Sequence, residues 1–178
     1  RRDIDLLASA RNVQLVALFS PEHGIEGKSE GLIASGKDPA TGIAIHSLYG
    51  ADLRPTPEAL GGLDLLVIDL QDVGVRFYTY AATMAYAMAA AAQAHVPVIV
   101  LDRPNPITAA AVEGPMLDPQ ARSLTGYVAM PGLHGRAIGE LAQIFNAENA
   151  LGADLTVVRM QGYRRELWYD QTGLPWID

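Results

Sequence analysis

Cysteine is absent from the 178 residues of this chain. Disulfide bonds, thiolate nucleophiles and zinc sites with cysteine ligands are therefore excluded. The absence leaves the compartment open, since a chain without cysteine suits both the cytoplasm and a secreted bacterial product.

Basic residues are few and scattered along the chain. Lysine and arginine number 13 against 20 aspartates and glutamates, which gives a net charge of −7 at pH 7. Nucleic-acid binding depends on clustered lysine and arginine side chains that meet the phosphate backbone. The sequence therefore predicts no nucleic-acid partner.

Long apolar runs are missing as well, although hydrophobic residues make up 49% of the chain and allow a sizeable core. The longest run, residues 81–92, is mostly alanine. It falls well short of the ~20 residues needed to span a bilayer, so it predicts a buried helix and no membrane span. No signal peptide opens the chain, and we expect a fragment that is incomplete at both ends.

The motifs of several common catalytic sites are also missing. The chain has no G-x-S-x-G nucleophile elbow, no P-loop, no G-x-G-x-x-G after a predicted strand and no H-E-x-x-H. Any catalytic residues must therefore lie outside these patterns.

Apolar patterning predicts alternating strands and helices, because short aliphatic runs indicate strands and longer runs with helical spacing indicate helices. Strands are expected at 13–19, 43–50, 64–70, 96–102 and 154–159, and helices at 3–10, 78–95 and 135–149. This order predicts an α/β fold with a mostly parallel sheet and crossover helices. The near-continuous apolar run at 64–70 predicts a strand covered on both faces. The strand at 43–50 is placed at an edge, after a loop over 24–42.

Polar residues follow three of the predicted strands at the point where each strand ends. Open α/β sheets bind ligands outside the carboxyl ends of their strands, so these side chains are expected around one crevice. The set comprises Glu22, His23, Asp72, Asp102, Arg103 and Asn105, and Asp69 ends the second of these strands.

Some of these residues have an equally plausible structural role. Asp69 and Asp102 are as well suited to capping a helix or closing an Asx turn as to binding a ligand. Glu22 has no evident capping role. Pro21 restricts the backbone before it and Gly24 frees the backbone after it, so the turn presents the Glu22 side chain in a defined direction. Function is favoured for Glu22 and, more weakly, for Asp72.

Further candidates lie on predicted loops. Glu113 precedes a Gly-Pro pair and is presented much as Glu22 is. His134 precedes a helix, where it suits a cap as well as a substrate contact. Arg76 and Tyr78 suit a sugar site, although the tyrosine suits packing against the sheet equally well.

Carboxylates surrounded by arginine, asparagine, histidine and tyrosine suit hydrolysis of a glycosidic bond. One carboxyl group protonates the leaving oxygen while a second activates water or attacks carbon. The same residue types also suit a hydrolase that depends on a divalent metal. A carbohydrate-binding domain without catalysis is the remaining alternative.

Seven stretches of the chain resemble the DUF1343 family, which looks like the exo-β-N-acetylmuramidases of the NamZ type. They occur in the family's order and read LFSPEHGIEG, GKDPATGIAIHSLYG, RPTPEAL, DLLVIDLQDVGVRFYTYAATM, VPVIVLDRPNPI, VEGPMLD and HGRAIGELAQIFN. The resemblance covers essentially the whole chain. It implies one incomplete Rossmann-like N-terminal domain over 1–178, with helices on both faces of its sheet, and a smaller C-terminal domain that this chain would lack.

The resemblance also implies an activity and a set of site residues. The activity is release of N-acetylmuramic acid from the non-reducing end of peptidoglycan disaccharides and oligosaccharides, without a cofactor, by a protein that is exported. Glu22 and Glu113 are implied as the catalytic pair. We expect Glu22 to be the general acid, with Glu113, or else Asp72, as the second carboxylate. The substrate-binding positions are His23, Asp72, Arg76, Tyr78, Asp102, Arg103, Asn105 and His134.

Overall fold

The computed structural model describes residues 2–176. The fold has two compact units, residues 1–59 and residues 60–178, each with a small sheet of its own. The interpretation of 1–178 as one domain stays a prediction.

The first unit has a mixed three-stranded sheet. Helix α1 (Asp3–Ala8) precedes it, and its strands are β1 (Ala17–Ser20), β2 (Gly36–Lys37) and β3 (Ala44–Ser47). Strand β3 pairs in parallel with β1 and antiparallel with β2, so the order is β1-β3-β2. The predicted edge position of this strand is wrong, because the two-residue β2 forms inside the predicted loop and occupies its other side.

The second unit has a fully parallel three-stranded sheet. Its strands β4 (Leu66–Ile68), β5 (Val98–Leu101) and β6 (Leu155–Val158) are arranged in that order. Helix α2 (Pro57–Leu60) lies at the boundary of the units, α3 (Tyr80–Gln93) connects β4 to β5, and α4 (Ile138–Glu148) precedes β6. The predicted α/β class with mostly parallel strands is confirmed.

Helices α3 and α4 supply most of the core of the second unit. Nine of the 14 residues of α3 are buried, as its uniformly apolar sequence predicts. Its alanines are small enough for another helix to approach closely. Helix α4 buries Ile138, Leu141 and Phe145, each about 1% exposed, on the face predicted from their spacing.

Strand β4 is covered on one face only. Leu66 and Ile68 are 6% exposed, whereas Val67 between them is 38% exposed. The prediction that this strand is covered on both faces is therefore wrong, because β4 is only three residues long and the side chain of its central residue, Val67, is exposed.

Gly139 fixes how closely α4 approaches the sheet. A Cβ atom at this position would lie 2.6 Å from Val157 Cγ1 and 2.8 Å from Asp102 Cγ. We expect Gly139→Ala to lower the free energy of unfolding by about 1–3 kcal/mol, because packed atoms must move apart. Urea unfolding measures the loss. Gly36→Ala is the control, because its Cβ would meet nothing within 4 Å; equal effects of the two substitutions would contradict the argument.

Candidate active site

The turn after β1 presents Glu22 in a fixed backbone. Pro21 is buried and Glu22 is half-buried, and the Gly24 N–H donates to the Pro21 carbonyl over 3.1 Å. His23 and Gly24 follow with φ angles of 69° and 77°, so two successive residues adopt the left-handed conformation. The chain reverses immediately after Glu22 and leaves this side chain at the bend.

His23 is tied to the loop that follows it. Its carbonyl accepts the Ser29 N–H at 3.0 Å, and its Nδ1 lies 3.2 Å from the Ser29 carbonyl oxygen. These contacts give His23 a part in holding the turn, while its role as a substrate contact stays a prediction.

The Glu22 carboxylate forms a hydrogen bond with the Tyr49 hydroxyl. This bond, together with burial and the negative charge of Glu22, raises the pKa of Tyr49 above its ordinary value. Tyr49 was not among the predicted site residues. Tyr49 lies two residues beyond β3, and the parallel pairing of β3 with β1 brings it to Glu22.

The carboxyl ends of the strands in the second unit border a groove of about 590 Å³. Asp69 follows β4 and Arg103 follows β5, and Arg103 Nε lies 2.5 Å from Asp69 Oδ1. Asp102, Tyr163 and Arg164 also line the groove. Of the residues predicted at the crevice, Asp102 and Arg103 lie in this groove.

Asp102 acts as a cap for α4. Its Oδ1 accepts the Gly139 N–H at 2.7 Å and the Arg103 N–H at 3.1 Å. Burial raises the pKa of Asp102, and the two N–H donors partly oppose that rise. The structural reading of this residue is favoured, while its role in substrate binding stays a prediction.

The raised pKa makes Asp102 a source of pH-dependent stability. A folded carboxyl group with a raised pKa stabilises the fold below its unfolded pKa and loses this contribution as pH rises through the folded value. We expect Asp102→Asn to keep the acceptor for Gly139 and to flatten the decline in unfolding free energy over the pH range that begins at about 4, the ordinary pKa of an aspartate. Urea unfolding across this range, with the exposed Asp118→Asn as control, measures it; parallel curves for the Asp102→Asn protein and its parent would contradict it.

Asp72 and His134 form a buried pair. Their side chains are 3% and 2% exposed, and Asp72 Oδ2 lies 3.1 Å from His134 Nε2. The same Oδ2 accepts the Gly74 N–H at 2.7 Å, and His134 Nδ1 accepts the Arg136 N–H at 3.2 Å. Because Nδ1 accepts, the neutral ring carries its proton on Nε2, towards Asp72.

Neither member of this pair has all its polar atoms satisfied. Within residues 2–176, Asp72 Oδ1 and His134 Nε2 lack an aligned hydrogen-bond partner, so the 3.1 Å approach is a close polar contact and not a well-oriented bond. Burial this deep favours a supporting role for both residues over the predicted contact with substrate, which stays a prediction.

Glu113 belongs to a segment whose backbone the Asp72–His134 pair helps to hold in place. It exchanges hydrogen bonds with Leu133, its N–H donating over 3.1 Å and its carbonyl accepting over 2.8 Å. The next residue, His134, donates its N–H to the Gly74 carbonyl at 3.3 Å. The Glu113 side chain is exposed. We call residues 72–76, 113–115 and 130–136 the Glu113 strip.

Arg76 ties the Glu113 strip together. Its Nη1 donates to the Pro115 and Met130 carbonyls, both over 2.8 Å, while its backbone N–H donates to the Gly132 carbonyl at 2.9 Å. The predicted role of Arg76 in substrate binding stays a prediction beside this structural one.

Asn105 and Tyr78 are also placed by internal contacts. Asn105 is 1% exposed, its Nδ2 donates to the Arg136 carbonyl at 3.1 Å, and its Oδ1 accepts the Ile107 N–H at 3.1 Å. The Tyr78 ring packs against Tyr80 with 4.6 Å between centroids. Substrate contacts by Asn105 and Tyr78 stay predictions.

Within residues 2–176, no group of three or more histidine, aspartate or glutamate side chains is arranged to hold a metal ion. No helix in this range has the length and apolar character needed to cross a bilayer, α3 being the longest with 14 residues.

Comparison with known proteins places the whole chain in one family. The family model described as exo-β-N-acetylmuramidase NamZ, N-terminal, matches residues 1–178. The peptidoglycan β-N-acetylmuramidase NamZ of Bacillus subtilis (strain 168) is 46% identical over 179 residues, covering 99% of this chain and 43% of that protein.

Two crystal structures of DUF1343 family proteins from Bacteroides fragilis NCTC 9343 share the fold. The first aligns with a TM-score of 0.92 and 44% identity, over 99% of this chain and 45% of the solved chain. The second aligns with a TM-score of 0.81 and 36% identity, over 95% of this chain and 45% of the solved chain. The chain thus spans less than half the length of each of these relatives.

Proposed function

The chain belongs to the family of NamZ N-terminal domains, and from that premise we propose that it forms part of an exo-acting glycoside hydrolase. The reaction is release of N-acetylmuramic acid from the non-reducing end of peptidoglycan fragments. The observation that carries the proposal is 46% identity, over 179 residues, to a protein named as a peptidoglycan β-N-acetylmuramidase.

Glu22 is the proposed general acid. A carboxyl group that donates a proton to the leaving oxygen must be accessible and must keep its proton near the working pH. Glu22 is half-buried at a rigid bend, and partial burial favours the protonated form. The bend holds the side chain in place without enclosing it.

Glu113 is the proposed second carboxylate. Its side chain is exposed, while its backbone is bonded on both sides to Leu133. Asp72, the alternative, is 3% exposed and already accepts the Gly74 N–H, so water or a sugar carbon would reach it poorly. The exposed carboxylate is the better base or nucleophile.

Arg103 is the proposed partner of the muramyl carboxylate. It lies in the groove at the strand ends, and the Asp69 carboxylate orients its guanidinium. A planar guanidinium suits a carboxylate, because two N–H donors match its two oxygens. Peptidoglycan lies outside the cytoplasmic membrane, and we propose that the protein is exported, which fractionation of the producing cells would test.

The function is tested by incubating the protein with the disaccharide that has N-acetylmuramic acid at its non-reducing end. We expect free N-acetylmuramic acid as product. The disaccharide with the two sugars in reverse order is the control, and we expect no release from it. A folded protein that releases nothing from several muramyl substrates would contradict the proposal. Release that stops on exhaustive chelation, and returns with metal, would instead indicate a metal-dependent hydrolase.

A further inference from the structure

The parallel pairing of β1 with β3 brings Glu22 and Tyr49 together. Ser20 and Ser47 are register partners at the last positions of the two strands. The Leu48 N–H then donates to the Ser20 carbonyl at 2.8 Å, which continues the pairing one residue beyond the strands. Glu22 and Tyr49 each come two residues after these serines, so the two side chains leave the same edge of the sheet.

Tyr49 is held in place on its own side of this contact. Its N–H donates to Ser47 Oγ at 3.1 Å, and its carbonyl accepts the Ile33 N–H at 2.9 Å. Its ring is half-buried, and its hydroxyl is bonded to the Glu22 carboxylate. Because both its backbone and its hydroxyl are held, Tyr49 loses little further conformational freedom when it orients the Glu22 carboxyl group.

We propose that Tyr49 is a positioning residue for the proton donor, holding the Glu22 carboxyl group in one orientation through its hydroxyl. The inference rests on the role proposed for Glu22 and adds a residue to it. The hydroxyl also stabilises the ionised form of the carboxyl group, because an O–H that donates to a carboxylate favours its charged state. Tyr49 thus opposes the effect of partial burial, and removing its hydroxyl is expected to raise the proton affinity of Glu22.

Other titratable groups flank this turn and remain in place in a Tyr49 variant. His23 is tied to Ser29, and His46 of β3 stacks on Phe19 with 5.5 Å between ring centroids. Arg2, Asp5, Glu26 and Asp38 of this unit pair with one another in an ion-pair cluster, and Lys28, Glu30 and Lys37 also belong to the loop that follows the turn. A change on removing one hydroxyl therefore reports the Tyr49 contact.

The contact itself is tested without substrate. In Tyr49→Phe, the pKa of Glu22, followed by ¹³C NMR of labelled glutamate and assigned with Glu22→Gln, is expected to rise. Linkage requires the reciprocal change, so the pKa of Tyr49, followed by tyrosinate absorbance, is expected to fall in Glu22→Gln. If neither pKa moves in the folded variants, the proposal is overturned, whatever the substrate of the protein.

The catalytic part is tested on the muramyl disaccharide. We expect Tyr49→Phe to lower kcat by about 10- to 100-fold, the effect of losing a hydrogen bond to a charged group, with a smaller change in KM. Because a general acid loses activity as pH rises through its pKa, the alkaline limb of the kcat/KM profile should move to higher pH. Tyr86→Phe is the control, and we expect an unchanged profile, because Tyr86 lies on α3 and its ring packs against Tyr127 with 5.3 Å between centroids.

The outcomes separate this inference from the proposed function. An inactive Glu22→Gln protein with an unchanged pH profile in Tyr49→Phe would leave Glu22 as the acid and overturn the role of Tyr49. A fully active Glu22→Gln protein would overturn both the role of Glu22 as acid and the kinetic role of Tyr49. In that case the NMR titration still decides whether the two groups are coupled.

Discussion

Glu22→Gln is expected to keep the fold and to lose about 10²- to 10⁴-fold of turnover on the natural disaccharide. The amide matches the carboxyl group in volume and hydrogen-bonding shape, and Glu22 lies beyond the end of β1, so the free energy of unfolding should change by no more than about 1 kcal/mol. What the substitution removes is the transferable proton. The measurement is kcat for release of N-acetylmuramic acid, together with urea unfolding.

The leaving group tells whether the lost function is proton donation. A nitrophenolate leaves without a proton. Glu22→Gln should therefore recover much of the lost rate on the nitrophenyl glycoside of N-acetylmuramic acid. Glu26→Gln is the matched control on the same loop, because its carboxylate is exposed and pairs with Arg2. We expect its activity to stay within a few-fold of the parent, as for a surface substitution.

Two outcomes would contradict the assignment of Glu22 as the acid. Full activity on the disaccharide would make it a loop residue and pass the role to Glu113 or Asp72. Equal losses with both leaving groups would make it a base, a nucleophile or a binding group.

The sequence carries the local part of the fold and of the candidate site. The helix predicted at 78–95 is found at Tyr80–Gln93, because an alanine-rich run is both a strong helix former and buried almost all round. The bend at Glu22 is likewise encoded locally, by a proline before it and a glycine two residues after it. Both depend on neighbouring residues, which a sequence displays directly.

The parts that sequence analysis missed depend on pairing between distant segments. Tyr49 meets Glu22 only because β1 and β3 are parallel and end in register. The error over the edge strand has the same origin, since β2 is two residues long and exists only through its partner β3. Strand neighbours and register are set by tertiary structure and leave no local signal in so short a strand.

The burial of individual polar side chains could not be predicted from the sequence either. Asp72 and His134 are far apart in sequence, and each looked like a loop residue open to substrate. Their burial follows from the close passage of three segments, and Gly74 shows how close that passage is: a Cβ there would lie 2.3 Å from Asn105 Oδ1. Packing of this kind turns candidate ligands into internal supports.

The buried pair leads to the largest expected loss of stability. Asp72→Ala removes the acceptor of the Gly74 N–H and leaves His134 Nε2–H facing a cavity. A buried donor left without a partner costs about 1–3 kcal/mol, and the Gly74 N–H becomes such a donor. His134 Nε2, which has no aligned partner in the parent, loses its close polar contact with Asp72 as well. Removing the unsatisfied Asp72 Oδ1 offsets part of this loss. We expect the free energy of unfolding to fall by about 2–4 kcal/mol, measured by urea denaturation.

Asp118→Ala is the matched control, because the Asp118 carboxylate also accepts an N–H two residues ahead, from Gln120 over 2.9 Å, but is exposed. Water replaces such an acceptor, and a loss of about 1 kcal/mol or less is expected. Asp72→Asn keeps an acceptor for Gly74 and should fall between the two. Because the pair anchors the Glu113 strip, activity should follow the same order, with partial recovery in Asp72→Asn. Equal stability losses at positions 72 and 118 would contradict the supporting role, and an Asp72→Asn protein that is stable but inactive would make Asp72 a catalytic group.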